Sequence, residues 1–316
     1  MLNITHFKSD KYGSTVCILG AVYGDDVCGT IAINKLISDI NSGTIRLTKG
    51  ALYLAPIVNN KAYEQKKRFC EVDLNRVFKR NIDVSLHEEV LAQELMGIIN
   101  KSDLVLDLQS SATRDLSFIF QDSSDRKTLS LVKSLPINNV ILGRNKIYKN
   151  IRDVSIMDYI YSINSYGVVI KCGKHKNPQS VEVAYKNILS ALNHLSMIEC
   201  EEYIYNHFIE SDTAKKKYFM LNSFVRKPKG GRFLKDWING EKLLKGQEIA
   251  KDSQDVIYKT DRECVICLPC DNVNEGEAWY YLGDVMRGKG EFGYSVNMGI
   301  TTGDAVLLDE DGINLN

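Results

Sequence analysis

Short apolar runs alternate with helical periodicity over roughly the first 200 residues, and that alternation constrains the fold more than any other feature of the 316-residue chain. TVCIL (15–19), ALYLAPIV (51–58), LVLDL (104–108), LSFIF (116–120), NVIL (139–142) and GVVI (167–170) read as strands. Between them, Val27 to Ile40 sets Ile31, Ile33, Leu36, Ile37 and Ile40 mostly on one side of a 3.6-residue period, and residues 86–99 do the same with Leu91, Leu95 and Ile98. Helical stretches near 125–134, 154–164 and 179–198 complete the pattern. Ser85 and Glu88 have the spacing of a capping box at the start of the 86–99 helix. The strand runs are continuous rather than alternating, as in sheets covered on both faces. The expected class is therefore α/β, with a mostly parallel central sheet flanked by helices and ligands bound beyond the carboxyl ends of the strands.

The texture changes near residue 212: KKKYFMLN opens a series of short strands and glycine turns (KPKGG, LLKGQ, EGE). An α/β domain over 1–212 and a smaller β-rich C-terminal domain over 213–316 are expected. Forty basic side chains balance forty acidic ones, which leaves no global field for nucleic acid or an anionic membrane. No apolar stretch approaches the roughly 20 residues of a membrane span, and MLNITHFKSDKYG lacks the regions of a secretion signal, so a cytoplasmic protein is expected. Its eight cysteines, scattered through apolar segments, are expected to be reduced thiols.

Four segments fall where strands end: GAVYGDD (20–26), RFCEVDLNR (68–76), DLQ (107–109) and KCGKH (171–175). In order and spacing they resemble the succinylglutamate desuccinylase/aspartoacylase group of zinc-dependent deacylases, which is related to the M14 carboxypeptidases. That family carries G-x-x-H-G-x-E, then an R-x4-D-L-N-R-like segment, then D-L-H, then E-x-G. The resemblance covers nearly the whole chain and implies a zinc carboxypeptidase-like fold. It also implies zinc held by His and Glu of the first motif and His of the third, with the glutamate of the fourth activating a metal-bound water. At those positions this chain has Tyr23, Asp26, Gln109 and Lys171. Zinc binds imidazole nitrogen, thiolate or carboxylate, and neither a neutral phenol nor an amide oxygen is a usual ligand. Lys171, at the general-base position, would add a cation that repels a divalent ion. No zinc and no other cofactor is expected. A carboxylate at 26 and an ammonium at 171 restore neutrality, and an Asp26–Lys171 ion pair flanked by Tyr23 and Gln109 is the expected replacement.

By the same resemblance, Arg68, Asn75 and Arg76 match positions that grip the substrate carboxylates, and arginine's fork suits such a group. The alternative is that Arg76 and Asp73 serve as a structural ion pair at the end of a strand. His175 matches a family histidine and is an accessory candidate, although a loop histidine bonded to backbone reads the same way. Cys28, close to the former metal loop, is a second accessory candidate, but no base for a thiol nucleophile is evident. Cys264, Cys267 and Cys270 have an iron–sulfur-like spacing, yet ECVICLP reads as a strand, which turns Cys264 and Cys267 to opposite faces. The resulting expectation is a pseudoenzyme that binds a small carboxylate-bearing acyl amino acid or peptide, with a protein partner as a further candidate. The alternative is an active amide-bond hydrolase with a non-standard site built on Tyr23, Lys171 or Cys28.

Overall fold

The structure, a computed structural model, describes residues 2–80, 84–111, 116–147, 154–209 and 215–286. Its N-terminal part contains β1 (Thr5–Lys8), β2 (Thr15–Leu19), α1 (Cys28–Asn41), β3 (Ile45–Leu47), β4 (Ala51–Ala55), α2 (Asn60–Glu64), α3 (His87–Ile99) and β5 (Leu104–Ser111). β6 (Phe118–Phe120), α4 (Arg126–Ser134), β7 (Asn139–Leu142), α5 (Arg144–Ile147), α6 (Ile156–Ser162), β8 (Tyr166–Lys174), α7 (Gln179–His194), β9 (Ile198–Cys200) and α8 (Glu202–Ile204) follow. The remaining strands are β10 (Lys217–Arg226), β11 (Arg232–Phe233), β12 (Glu241–Leu243), β13 (Glu248–Lys251), β14 (Ile257–Lys259), β15 (Cys264–Cys267) and β16 (Ala278–Val285).

An 11-stranded sheet runs in the order β1-β4-β2-β5-β8-β6-β7-β10-β16-β15-β12. Its centre, β4-β2-β5-β8, is parallel, and β6 then runs antiparallel to β8. Continuous apolar runs make these strands two-sided. Val16, Ile18, Leu104, Leu106, Leu108 and Ile170 pack with α1, α4 and α7 on one face. Cys17, Leu19, Val105 and Val169 pack with α3 and α6 on the other. Each fully buried Leu or Ile contributes about 1.5–3 kcal/mol, so both helical layers are held chiefly by this alternation. The architecture is the expected mostly parallel α/β sheet flanked by helices, followed by a β-rich C-terminal region.

That region extends the same sheet, because β10 pairs parallel with β7 and antiparallel with β16. A separate β11-β13-β14 sheet packs over Trp279, whose ring stacks on Phe233 at 4.8 Å. Cys267 joins the core with Phe118 and Phe219, while Cys264 joins the one around Trp279, so the two thiols do face opposite ways.

Two local expectations change. The helix expected over 179–198 ends at His194, and Ile198–Cys200 pairs antiparallel with β3 instead. At the start of α3, the carboxylate that reaches back is that of Glu89, which accepts from the amides of Ser85 and Leu86 at 3.1 Å each. Glu88 points inward and is fully buried, because residue 88 lies on the same helical stripe as Leu91 and Leu95.

Candidate functional site

The loops after β2, β4, β5 and β8 meet at the carboxyl ends of the parallel strands. Close backbone packing shapes the first of them: a Cβ added at Gly24 would lie 2.1 Å from the Ala62 carbonyl carbon, and one at Gly20 would lie 2.6 Å from the Pro56 oxygen. The Gly24 amide donates to the Arg68 carbonyl at 3.1 Å, and the Asn59 amide donates to that of Ala21 at 2.9 Å. These bonds tie residues 20–26 to the loop after β4. Glu88 anchors that loop from below, accepting from the amides of Cys70, Glu71 and Val72 at 2.7, 3.2 and 3.3 Å and from Asn59 Nδ2 at 3.1 Å. Burial opposes its charge, but the four donors outweigh burial and hold its carboxyl below the usual range.

Asp73 caps the following turn, Leu74–Arg76, by accepting from the Asn75 amide at 2.9 Å. This turn sets the three expected carboxylate-gripping residues differently. Arg68 is solvent-accessible; its guanidinium lies 3.7 Å from the Tyr23 ring centroid and 3.4 Å from the Asp73 carboxylate. Asn75 is buried, with Oδ1 accepting from the Ile156 amide at 2.9 Å. Arg76 Nη1 donates to the Asn75 carbonyl at 2.9 Å. Asp73 thus forms an ion pair with Arg68. Burial pushes the Tyr23 phenol up, against the pull of the Arg68 charge.

The four positions at which the resemblance implied metal-site residues lie near one another: Lys171 Nζ is 5.8 Å from the Tyr23 ring centroid, is paired in register with Gln109 and feels the charge of Asp26. Alternation along β5 sets Asp107 and Gln109 on the face of Val105, toward α3, whereas Ser110 turns the other way. Asp26 is buried and meets Ser110: both carboxylate oxygens accept from the Ser110 amide, at 2.7 and 2.8 Å, and Oδ1 also accepts from the Ser110 hydroxyl. Burial nonetheless raises the Asp26 carboxyl, with Lys171 and the Ser110 bonds opposing. The expected direct Asp26–Lys171 pair is not formed within 4 Å among the described residues. Lys171, opposite Gln109 in the β5–β8 register, donates to the Ser110 carbonyl at 3.1 Å. Its attraction to Asp26 acts across this intervening backbone, and burial still lowers the ammonium from its ordinary value.

Asp107, for which no role was expected, is the second carboxylate of the centre. It is fully buried and accepts from Gln109 Nε2 at 2.5 Å through Oδ2, while Oδ1 has no hydrogen-bond partner. Burial pushes its carboxyl up to about 7 despite the Lys171 charge. The signal in the sequence is its place two residues before Gln109, on the same face of a strand.

His175 is brought in by β8. Its Nδ1 lies 2.6 Å from the Ser110 hydroxyl, and its Nε2 lies 3.6 Å from Asp25 Oδ2. Partial burial would raise the Asp25 carboxyl, but bonding and charge from His175 outweigh it and lower it. Neither Ser110 nor Asp25 carries a signal separable from its neighbours in the sequence. Cys28 packs beneath this group, its thiol donating to Asp26 Oδ1 at 3.7 Å. The donor set does not fit zinc. Tyr23 and Gln109 are poor ligands, Asp26 is held by Ser110, and Lys171 places positive charge beside them. Among the described residues, no group of three or more His, Cys, Asp or Glu side chains has metal-binding geometry.

Comparison with known proteins adds to this geometry. The profile of the family described as "Succinylglutamate desuccinylase/Aspartoacylase catalytic domain" matches residues 12–192. The chain is 27% identical over 168 residues to a probable aspartoacylase of Nostoc, covering 50% of this chain and 54% of that protein. It is 24% identical over 213 residues to an N-alpha-acetyl-L-2,4-diaminobutyric acid deacetylase of Halomonas elongata, covering 64% and 60%. The matches thus span little more than half the length of these relatives. Among solved structures, a succinylglutamate desuccinylase/aspartoacylase from Rhodobacter sphaeroides superposes with a TM-score of 0.71 at 18% identity, covering 91% of this chain and 90% of its own. The product-bound ectoine utilization protein EutE (DoeB) of Ruegeria pomeroyi gives 0.71 at 16%, covering 89% and 88%. These similarities extend the fold across both parts of the sheet. No helix among the described residues is long and apolar enough to cross a membrane.

Proposed function

This chain belongs to the succinylglutamate desuccinylase/aspartoacylase family, and within that family we propose that it binds the carboxylate end of an acyl amino acid or peptide without hydrolysing it. The observation that carries this reading is the condition of Asp26. The one carboxylate left in the donor set has both oxygens held by Ser110, and the ammonium of Lys171, on the neighbouring strand, donates to the carbonyl of the same serine. The ligand class follows from Arg68, an accessible guanidinium backed by the Tyr23 ring, on a loop fixed by Glu88. A ligand carboxylate would exchange for Asp73, whose contact at 3.4 Å is long for a charge-assisted bond. The relatives' names, all deacylases of amino acids, support the same class.

Calorimetric titration of the full chain with N-acetylaspartate and N-succinylglutamate tests this, with amine release measured in parallel and zinc determined in protein purified without chelator. Saturable binding without product is expected. Stoichiometric zinc that resists dialysis, or zinc-stimulated turnover, overturns the reading.

A second reading, a metal-independent hydrolase, is favoured by one arrangement: Ser110 Oγ at 2.6 Å from His175 Nδ1, with Asp25 3.6 Å from Nε2. With the Ser110 hydroxyl proton turned from Asp26 to Nδ1, this is the order nucleophile, base, orienting carboxylate. Attack of Oγ on the acyl carbonyl would pass its proton to His175, the departing amine would take that proton, and water would hydrolyse the acyl-serine. Amine release abolished by Ser110→Ala and indifferent to added zinc would establish this reading over the first.

A further inference from the structure

A second cleft lies at the opposite, amino-terminal ends of the parallel strands, remote from the site above. Its volume is about 610 Å³, and it is bounded by Ser14 before β2, Asp103 before β5, Tyr166 at the start of β8, and the neighbouring ends of α4 and α7. Its charged lining is unbalanced. Lys49, Arg126 and Lys127 all face it, and none of the three lies within 4 Å of a carboxylate among the described residues. Some other surface cations do have a counter-ion, as Lys35 has Asp39, Arg46 has Glu199, Lys186 has Glu182 and Lys251 has Asp255. The one acid in the lining, Asp103, already accepts from the Thr15 amide at 2.8 Å. Three cations and one acid give the cleft a net positive lining, which favours a multiply charged anion.

The start of α4 does not itself supply the anion site. Asp125 accepts from the amides of Lys127 and Thr128 at 2.9 Å each, so the holding groups are side chains. His194, at the end of α7, lies 3.3 Å from the Ser130 hydroxyl and adds a ring nitrogen to the same wall. Tyr12 stands fully exposed at the rim, and Lys127 lies over the Tyr166 ring at 5.6 Å. The cleft thus joins a triad of cations to an open aromatic face.

The geometry points to a second ligand site here, for a small phosphate compound carrying two or more negative charges, with Lys49, Arg126 and Lys127 as its grip and Tyr12 as a stacking face for an attached ring. Phosphate oxygens accept from both ammonium and guanidinium donors, and a flat base on Tyr12 would place its phosphates inward.

Titration of the full chain with pyrophosphate and with ADP, at constant ionic strength, tests the assignment. Both are expected to bind saturably and to raise the melting temperature, and ADP is expected to bind more tightly, with the gain lost in Tyr12→Ala. Arg126→Ala and Lys127→Ala should each weaken pyrophosphate about tenfold or more. Arg126→Glu with Lys127→Glu should abolish binding. These residues are exposed and remote from the other cleft, so the variants should fold and should bind N-acetylaspartate as the parent does. Absence of saturable pyrophosphate and ADP binding overturns the proposal, as does binding unchanged in the double variant. Citrate binding as tight as ADP overturns the phosphate assignment.

Discussion

Glu88 and Asp107 are both fully buried carboxylates below the same loop cluster, yet their surroundings drive them in opposite directions. Glu88 is met by three backbone amides and Asn59, and its charge is retained. Asp107 has the Gln109 amide on one oxygen and nothing on the other, beside a second carboxylate and one ammonium. The contrast teaches that hydrogen-bond supply rather than burial alone decides whether an acid in this fold is a fastening or a proton-holding group. Glu88 holds the loop of Cys70 to Val72 in place, whereas burial favours the protonated form of Asp107.

The comparison breaks most sharply at Glu88. Glu88→Ala leaves three amides without their acceptor and is expected to destabilise the protein by about 3–5 kcal/mol in urea unfolding. It should also abolish N-acetylaspartate binding by releasing Arg68. A loss below about 1 kcal/mol would show that the loop is held by other contacts.

Asp107→Asn should act with the opposite sign. Because the folded-state value lies above the ordinary 3.8, at about 7, the folded protein holds that proton more tightly, and stability from this group falls as pH rises from about 4 to about 7. The rise corresponds to a ceiling of about 4 kcal/mol at pH 8. Asn should therefore flatten the stability curve across that window and raise stability above it, as read from unfolding midpoints at several pH values. For Glu88, whose value is lowered, the contribution is present above about 4.5 and is lost as pH falls through the lower folded-state value. Steeper loss of stability between pH 4 and 7 in Asp107→Asn would contradict the assignment.

At the ligand loop itself, Arg68→Ala should weaken N-acetylaspartate binding about 10- to 100-fold with stability nearly unchanged, since its ion pair is half-exposed. Arg68→Lys should recover only part, because an ammonium offers no fork. The smallest effect lies at the start of α3. Ser85→Ala should change stability by less than about 0.5 kcal/mol, while Glu89→Ala should cost about 1 kcal/mol by uncapping the Ser85 and Leu86 amides.

Much of this was legible from the sequence. The strand and helix periods placed the segments around 20–26, 68–76, 107–109 and 171–175 at the carboxyl ends of strands, and their residue types already removed the usual zinc ligands. The Ser85–Glu88 spacing misled, because the spacing of a capping box does not tell an inward from an outward glutamate. The buried stripe of Leu91 and Leu95 would have told them apart. The direct Asp26–Lys171 pair failed for a related reason: charge balance fixes which groups must compensate each other, but not whether a strand of backbone lies between them.

What the sequence alone determined is therefore the α/β class, the strand-end origin of the site and the chemical types gathered there, since these depend on local period and side-chain chemistry. Only the tertiary structure decided that Ser110 takes both oxygens of Asp26, that Lys171 reaches a carbonyl, and that Asp107 is left short of donors. Those outcomes depend on which face each strand residue presents and on groups 61 to 84 positions apart in the chain, distances over which no local pattern carries information.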